Sequence, residues 1–136
     1  MKQVLTDSQL NHFQRLLKER YLALREEIRN ELLASDEESY LELAGRVHDV
    51  EEAALADLLV DLNLASIDRH IQELRDIDAA LIRIAEGSYG LCTDCGQPIG
   101  VKRLEAYPTA KRCVKCQQAY EAYKQSRHLG DTTPTL

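Results

Sequence analysis

The chain has no tryptophan, one phenylalanine and one methionine among its 136 residues. So few large side chains exclude a bulky globular core and leave a thin one, built from Leu, Ala, Ile and Val. No apolar run reaches the roughly 18 residues that a membrane span requires, so none is expected. The start, Met1-Lys2-Gln3-Val4-Leu5-Thr6-Asp7, turns polar too soon for a secretory signal, which points to a cytoplasmic protein. A broad basic face is also missing. The net charge is −6, which argues against simple duplex-DNA binding.

The charge that is present is unevenly placed. Residues 31–57 hold nine acids against one base, Arg46. Residues 92–136 hold seven bases against four acids. The acids cluster where the chain is expected to turn.

Cysteine is confined to four residues in two tight pairs, Cys92-Thr93-Asp94-Cys95 and Cys113-Val114-Lys115-Cys116, with 17 residues between the pairs. A two-residue gap lets both thiolates of a pair meet one metal from a tight turn, and the loop returns the second pair to complete a tetrahedral Zn²⁺ shell. Gly96 stands where such a turn needs positive φ. Two disulfides or four free thiols are the alternative, but nothing else in the chain looks secreted. Four thiolates leave no position for a water nucleophile, so the site is structural rather than catalytic. The metal is expected to decide whether residues 88–120 fold, since they carry little apolar mass. No enzyme is expected. The four histidines (His12, His48, His70 and His128) are scattered, and no nucleophile has an evident base.

Thr6-Asp7-Ser8-Gln9 reads as a capping box opening a helix. Leu10, Phe13, Leu17, Tyr21, Leu24, Ile28 and Leu32 then recur in steps of three and four, one apolar stripe on a helix from about residue 7 to 34, roughly 40 Å long. Ser35, Ser39 and Gly45 mark a connection over residues 35–48, with Tyr40 and Leu41 filling the turn. From Asp49 a second stripe (Leu55, Leu58, Leu62, Ile67, Ile71, Leu74, Ile77, Leu81, Ile84) runs to Gly87, a helix of roughly 55 Å. Neither narrow stripe can be buried alone. The pattern predicts a mainly α protein: a long antiparallel coiled-coil hairpin with a small four-cysteine zinc module and a short C-terminal helix, rather than a compact bundle. The expected boundaries are 1–87 for the hairpin, with its acidic tip over about 35–54, then 88–129 for the zinc module with its helix. A disordered tail is expected over 130–136.

Tyr89-Gly90-Leu91-Cys92-Thr93-Asp94-Cys95-Gly96, the stretch Pro98 to Ala110 and Cys113-Val114-Lys115-Cys116 together resemble the zinc finger of the DksA/TraR transcription factors. The upstream hairpin has the length and position that this family requires. The resemblance implies binding to RNA polymerase rather than DNA, by a single chain. The hairpin would enter the secondary channel, and acidic tip residues would approach the catalytic centre and alter open-complex stability. The family's tip motif, Asp-x-x-Asp-x-Ala, falls on Asp49-Val50-Glu51-Glu52-Ala53-Ala54. Asp49 and Ala54 match, and Glu52 replaces the second Asp with a side chain one methylene longer. Guanosine tetraphosphate assists many members, held by basic side chains. The matching positions here are Asp76, Tyr107 and Gln117, while Arg69 keeps a basic polymerase contact. An aspartate repels a polyphosphate, so dependence on that nucleotide is expected to be weak or absent. Three other readings stay open: rescue of stalled elongation complexes, nucleic-acid binding through Lys102, Arg103, Lys111, Arg112 and Lys115, and a coiled-coil scaffold.

Overall fold

The computed structural model describes residues 4–62 and 65–131, with backbone alone at 65 and 126–131. Helix α1 runs Asp7–Leu33. Its capping box forms as the sequence predicts: the Gln9 amide donates to Thr6 Oγ1 (3.1 Å), and the Thr6 amide donates to Gln9 Oε1 (2.9 Å). Two of the four orphan amides at the helix start are thereby satisfied. Phe13, Leu17, Tyr21, Leu24, Ile28 and Leu32 are all buried, one continuous stripe.

The partner of that stripe is α4, Ala65–Glu86, which buries Ile67, Ile71, Leu74, Ile77 and Ala80. Each fully buried Leu or Ile contributes about 1.5–3 kcal/mol, so the seam is the main source of stability here. Polar rungs fix the register of this antiparallel hairpin. Arg20 pairs with Glu73, its Nη2 lying 2.8 Å from Glu73 Oε1. Further along, Glu31 accepts from Ser66 and faces His70 Nε2 at 3.2 Å.

The segment between α1 and α4 departs from the expected single long second helix. It forms α2 (Glu38–Arg46), a 3₁₀ turn (Val47–Asp49), α3 (Glu52–Leu59) and a second 3₁₀ turn (Val60–Leu62). Helix α2 folds back along α1, and α3 folds back along α4. His48 Nε2 thus meets Glu26 of α1, and Asp57 of α3 lies 3.6 Å from Arg75 of α4. The hairpin's distal half is therefore four helices thick, with Ala44, Val47, Leu55, Ala56 and Leu59 joining Leu24, Ile28 and Leu32 in its core. Two features break the chain. At residues 35–37 the Glu37 amide donates to Ser35 Oγ (3.0 Å), a side-chain turn that competes with helix. Past Leu62 the spacing of three and four fails, the next large apolar residues, Leu64 and Ile67, following at steps of two and three. Tyr40 does fill the distal turn, its hydroxyl 3.4 Å from the Leu62 carbonyl, whereas Leu41 stays exposed.

Helix α4 stops at Gly87, as expected, with the Ser88 and Tyr89 amides donating back to the Arg83 carbonyl. A compact module follows, holding α5 (Val101–Ala106) and α6 (Val114–Asp131). Tyr89 is its anchor: fully buried, ring 5.8 Å from Phe13 of α1, hydroxyl donating to the Pro108 carbonyl at 2.7 Å. At Gly90 (φ 91°) a Cβ would sit 3.0 Å from Leu5 Cδ1, so only glycine lets the N-terminal segment cover this junction. Helix α6 continues through Asp131, past the Gly130 at which a tail was expected to begin. The rest of that tail, 132–136, lies outside the described residues.

Candidate functional site

The metal centre is assembled from two knuckles. In the first, the Gly96 amide donates to the Cys92 carbonyl (3.0 Å) and the Cys92 amide to the Gln97 carbonyl (2.8 Å). The turn closes with Gly96 at φ 77°, the positive value that its position predicts. In the second, the Cys116 amide points at Cys113 Sγ (3.5 Å), and the Gln117 amide caps onto the Cys113 carbonyl (2.8 Å). This pair thus sits at the start of α6, where the helix dipole favours thiolate.

All four Sγ atoms lie within 4.8 Å of one another, and Cys95 Sγ to Cys113 Sγ is 3.9 Å. A tetrahedron with Zn–S of about 2.3 Å has S···S edges near 3.8 Å, so the set fits one Zn²⁺. Burial pushes the Cys92 thiol up, but backbone donors from Cys113, Cys95 and Asp94 outweigh it and bring it down to about 6. Hydrogen bonds to Cys113, Cys95 and Cys92 hold the Cys116 proton and push that thiol up to about 12. Four adjacent sulfurs cannot all ionise without a cation to share, and that is the chemistry of a structural zinc.

One residue absent from the sequence reading of the metal site braces it. Arg112 Nε donates to Asp94 Oδ2 (2.9 Å), inside the first knuckle, while its guanidinium lies 3.9 Å from the Tyr120 ring centroid on α6. The only sequence signal was an Asp between the first two cysteines and an Arg just before the third. Arg103 Nε in turn donates to the Arg112 carbonyl (3.0 Å). Two members of the suspected basic patch are therefore committed within the fold, which weakens the nucleic-acid reading.

The acidic motif lies at the turn between α2 and α3. Asp49 ends the 3₁₀ turn, Glu52 opens α3, and Ala54 follows; all three are exposed. Glu52 stands at a helix start, where its charge is favoured. Both carboxylates are exposed at this turn, which does not lie at the end of the rod. Their turn lies level with Tyr21 and Glu26 of α1, and the far end is made by residues 33–38 and 60–62. Beneath the turn, burial raises the Tyr21 hydroxyl pKa, with Arg25 opposing and Glu52 adding to the rise. Tyr21 Oη and Arg25 Nε are buried there without a hydrogen-bond partner among the described residues.

Arg69 is exposed on α4 at the rim of a cavity of about 540 Å³, shared with Arg20, Glu73, Asp76 and Tyr107. A second cavity of about 460 Å³ lies between α4, the zinc module and α6 and holds Asp76, Tyr107 and Gln117 together. Asp76 Oδ1 accepts from Gln72 (3.0 Å), and Gln117 donates to Glu121 (2.9 Å). Arg103, Lys111, Arg112 and Lys124 line the same cavity.

Fold and centre together define a helical hairpin that carries a four-cysteine zinc module. Residues 87–122 match the prokaryotic dksA/traR C4-type zinc finger. The chain is 37% identical to the RNA polymerase-binding transcription factor DksA of Caulobacter vibrioides, over 86% of this chain and 79% of that protein. It is 29% identical to the protein of the same name from Escherichia coli K12, over 88% of this chain and 76% of the relative. The structure of transcription factor DksA2 from Pseudomonas aeruginosa superposes with a TM-score of 0.58 at 29% identity, covering 88% of each chain. The chain belongs to the DksA/TraR family. Its relatives are named as transcription factors, not enzymes, in keeping with the closed metal shell. Among the described residues no helix is long and apolar enough to cross a membrane.

Proposed function

We propose that the chain is a transcription regulator that binds RNA polymerase in the cytoplasm and acts through the Asp49–Glu52 carboxylates. The observation that carries this is the pairing of a family-type zinc module with two exposed carboxylates on one turn, spaced as the family's tip motif. Carboxylates on a helical projection act by electrostatics: they repel phosphate, attract Mg²⁺ or reposition basic loops, and they need no bond chemistry of their own. Entry through the secondary channel would bring them to the catalytic centre, where they shift the lifetime of the open complex. Arg69 serves as a supporting contact.

Guanosine tetraphosphate contributes little. The three positions that would grip it carry an acid already held by Gln72, a tyrosine, and an amide already held by Glu121. The test is open-complex lifetime at a ribosomal RNA promoter with the cognate polymerase, with and without the nucleotide. A shorter lifetime from the protein alone, unchanged by nucleotide, is the expected result. No change in either condition contradicts the proposal. A nucleotide crosslink to Asp76 removes the second part of it.

A further inference from the structure

Helix α6 has little to lean on. Residues 118–125 are all exposed, so past its first turn the helix is not seated in the core. Cys113 and Cys116 secure its start. A helix pinned at one end can still pivot, and a fixed direction needs a second point of attachment further along.

Tyr120 supplies that point, four residues past Cys116 and about 6 Å along the axis. Its ring centroid lies 3.9 Å from the Arg112 guanidinium, a close cation–π contact. Lys124 also approaches this ring, at 6.0 Å, but it belongs to α6 itself and adds no tie to the module. The Arg112 side chain is 15% exposed, and its Nε donates to Asp94 Oδ2 at 2.9 Å. Asp94 stands between the two cysteines of the first knuckle, and Arg112 immediately precedes the second. The Thr93 amide donates to the Lys111 carbonyl (2.8 Å), so backbone and side chains join the knuckles at the same place. A planar guanidinium suits this double use, one edge taking a carboxylate while the face covers a ring.

Arg112 also reaches a second ring. Its carbonyl accepts from Arg103 Nε (3.0 Å), and the Arg103 guanidinium lies 5.8 Å from the Tyr107 ring centroid. Tyr107 and Tyr120 both line the cavity between α4, the zinc module and α6.

We infer that Arg112 is a positioning residue for this cavity: it fixes the direction of α6 and, with it, the spacing between Tyr120 and Tyr107. Asp94 gives Arg112 its own bearing, so alignment passes from the first knuckle to a helix that carries only the second. A partner that enters the cavity meets a wall already in place and loses no freedom in ordering it.

The test is a distance between spin labels on non-canonical residues at Ala79 of α4 and Ala122 of α6, both exposed, with the four cysteines untouched and zinc content measured on every sample. The zinc-loaded wild type should give one narrow distribution, and Tyr120→Phe, which keeps the ring, should match it. Arg112→Leu and Tyr120→Leu should each broaden it about twofold, and the double variant should broaden it no further, because both break one link. Asp94→Asn should broaden it too. A narrow distribution in Tyr120→Leu, or in Arg112→Leu with zinc retained, overturns the assignment, since the cysteines alone then orient the helix. So does a broad distribution in the wild type, or a double variant as broad as the two single effects added. A narrow Asp94→Asn overturns the link to the first knuckle. If Arg112→Leu loses its zinc, Tyr120→Leu decides, since Tyr120 stands outside the metal shell.

Discussion

At the scale of residues, a few side chains tie separate elements together. Tyr89 links α1 to the zinc module by ring packing and by its bond to the Pro108 carbonyl. Tyr89→Phe removes only the bond and should cost about 1 kcal/mol in urea unfolding. Tyr89→Ala also opens a cavity and should cost about 3–5 kcal/mol. Equal losses would mean that the hydroxyl, not the ring, does the anchoring. Arg20 and Glu73 give a pH test. The hydrogen bond from Arg20 lowers the Glu73 pKa below its ordinary 4.5, burial opposing. A depressed carboxyl adds stability above the unfolded value and loses it as pH falls through the folded one. The stability gap between wild type and Glu73→Gln should be present at pH 7 and should close on acidification below about 4.5. The pair is half-exposed, so the gap should stay below about 1 kcal/mol.

At the scale of elements, α1, the α4 seam and the zinc knuckles were legible in the sequence. A capping box, an apolar stripe and a Cys spacing each specify geometry locally. The doubling back of residues 38–62 was not legible. Leu55, Leu58 and Leu62 continue the run of apolar residues toward Leu64 and Ile67, and a run counted loosely hides the change of spacing past Leu62. Tertiary burial of α3 on α4 then decides what spacing left ambiguous. The Arg112 brace was invisible for another reason: its partners, Asp94 and Tyr120, lie far apart in sequence. The folded-back packing has its own check. Leu55→Ala should cost about 2–5 kcal/mol, because Leu55 is fully buried, whereas Val60→Ala should stay within about 0.5 kcal/mol. Similar Tm shifts for the two would contradict the observed register.

At the scale of the whole molecule, stability comes from two sources that can be separated. The hairpin stands on its buried seam. The module stands on Tyr89, a small core around Leu104 and Ile99, and the metal. Chelation should therefore make residues 88–113 sensitive to protease while most of the helical circular dichroism survives, and added Zn²⁺ should restore protection. Loss of all helix on chelation would mean that the two parts fold as one.

The role of the carboxylate turn is decided by open-complex lifetime with wild type and with Asp49→Asn, polymerase binding being measured on the same samples. Asp49 is exposed and Asn keeps its shape, so binding should change by less than about twofold, within ~0.4 kcal/mol. With Asp49→Asn the lifetime effect should disappear while binding persists. An Asp49→Asn protein that binds and shortens open complexes as wild type does would contradict it.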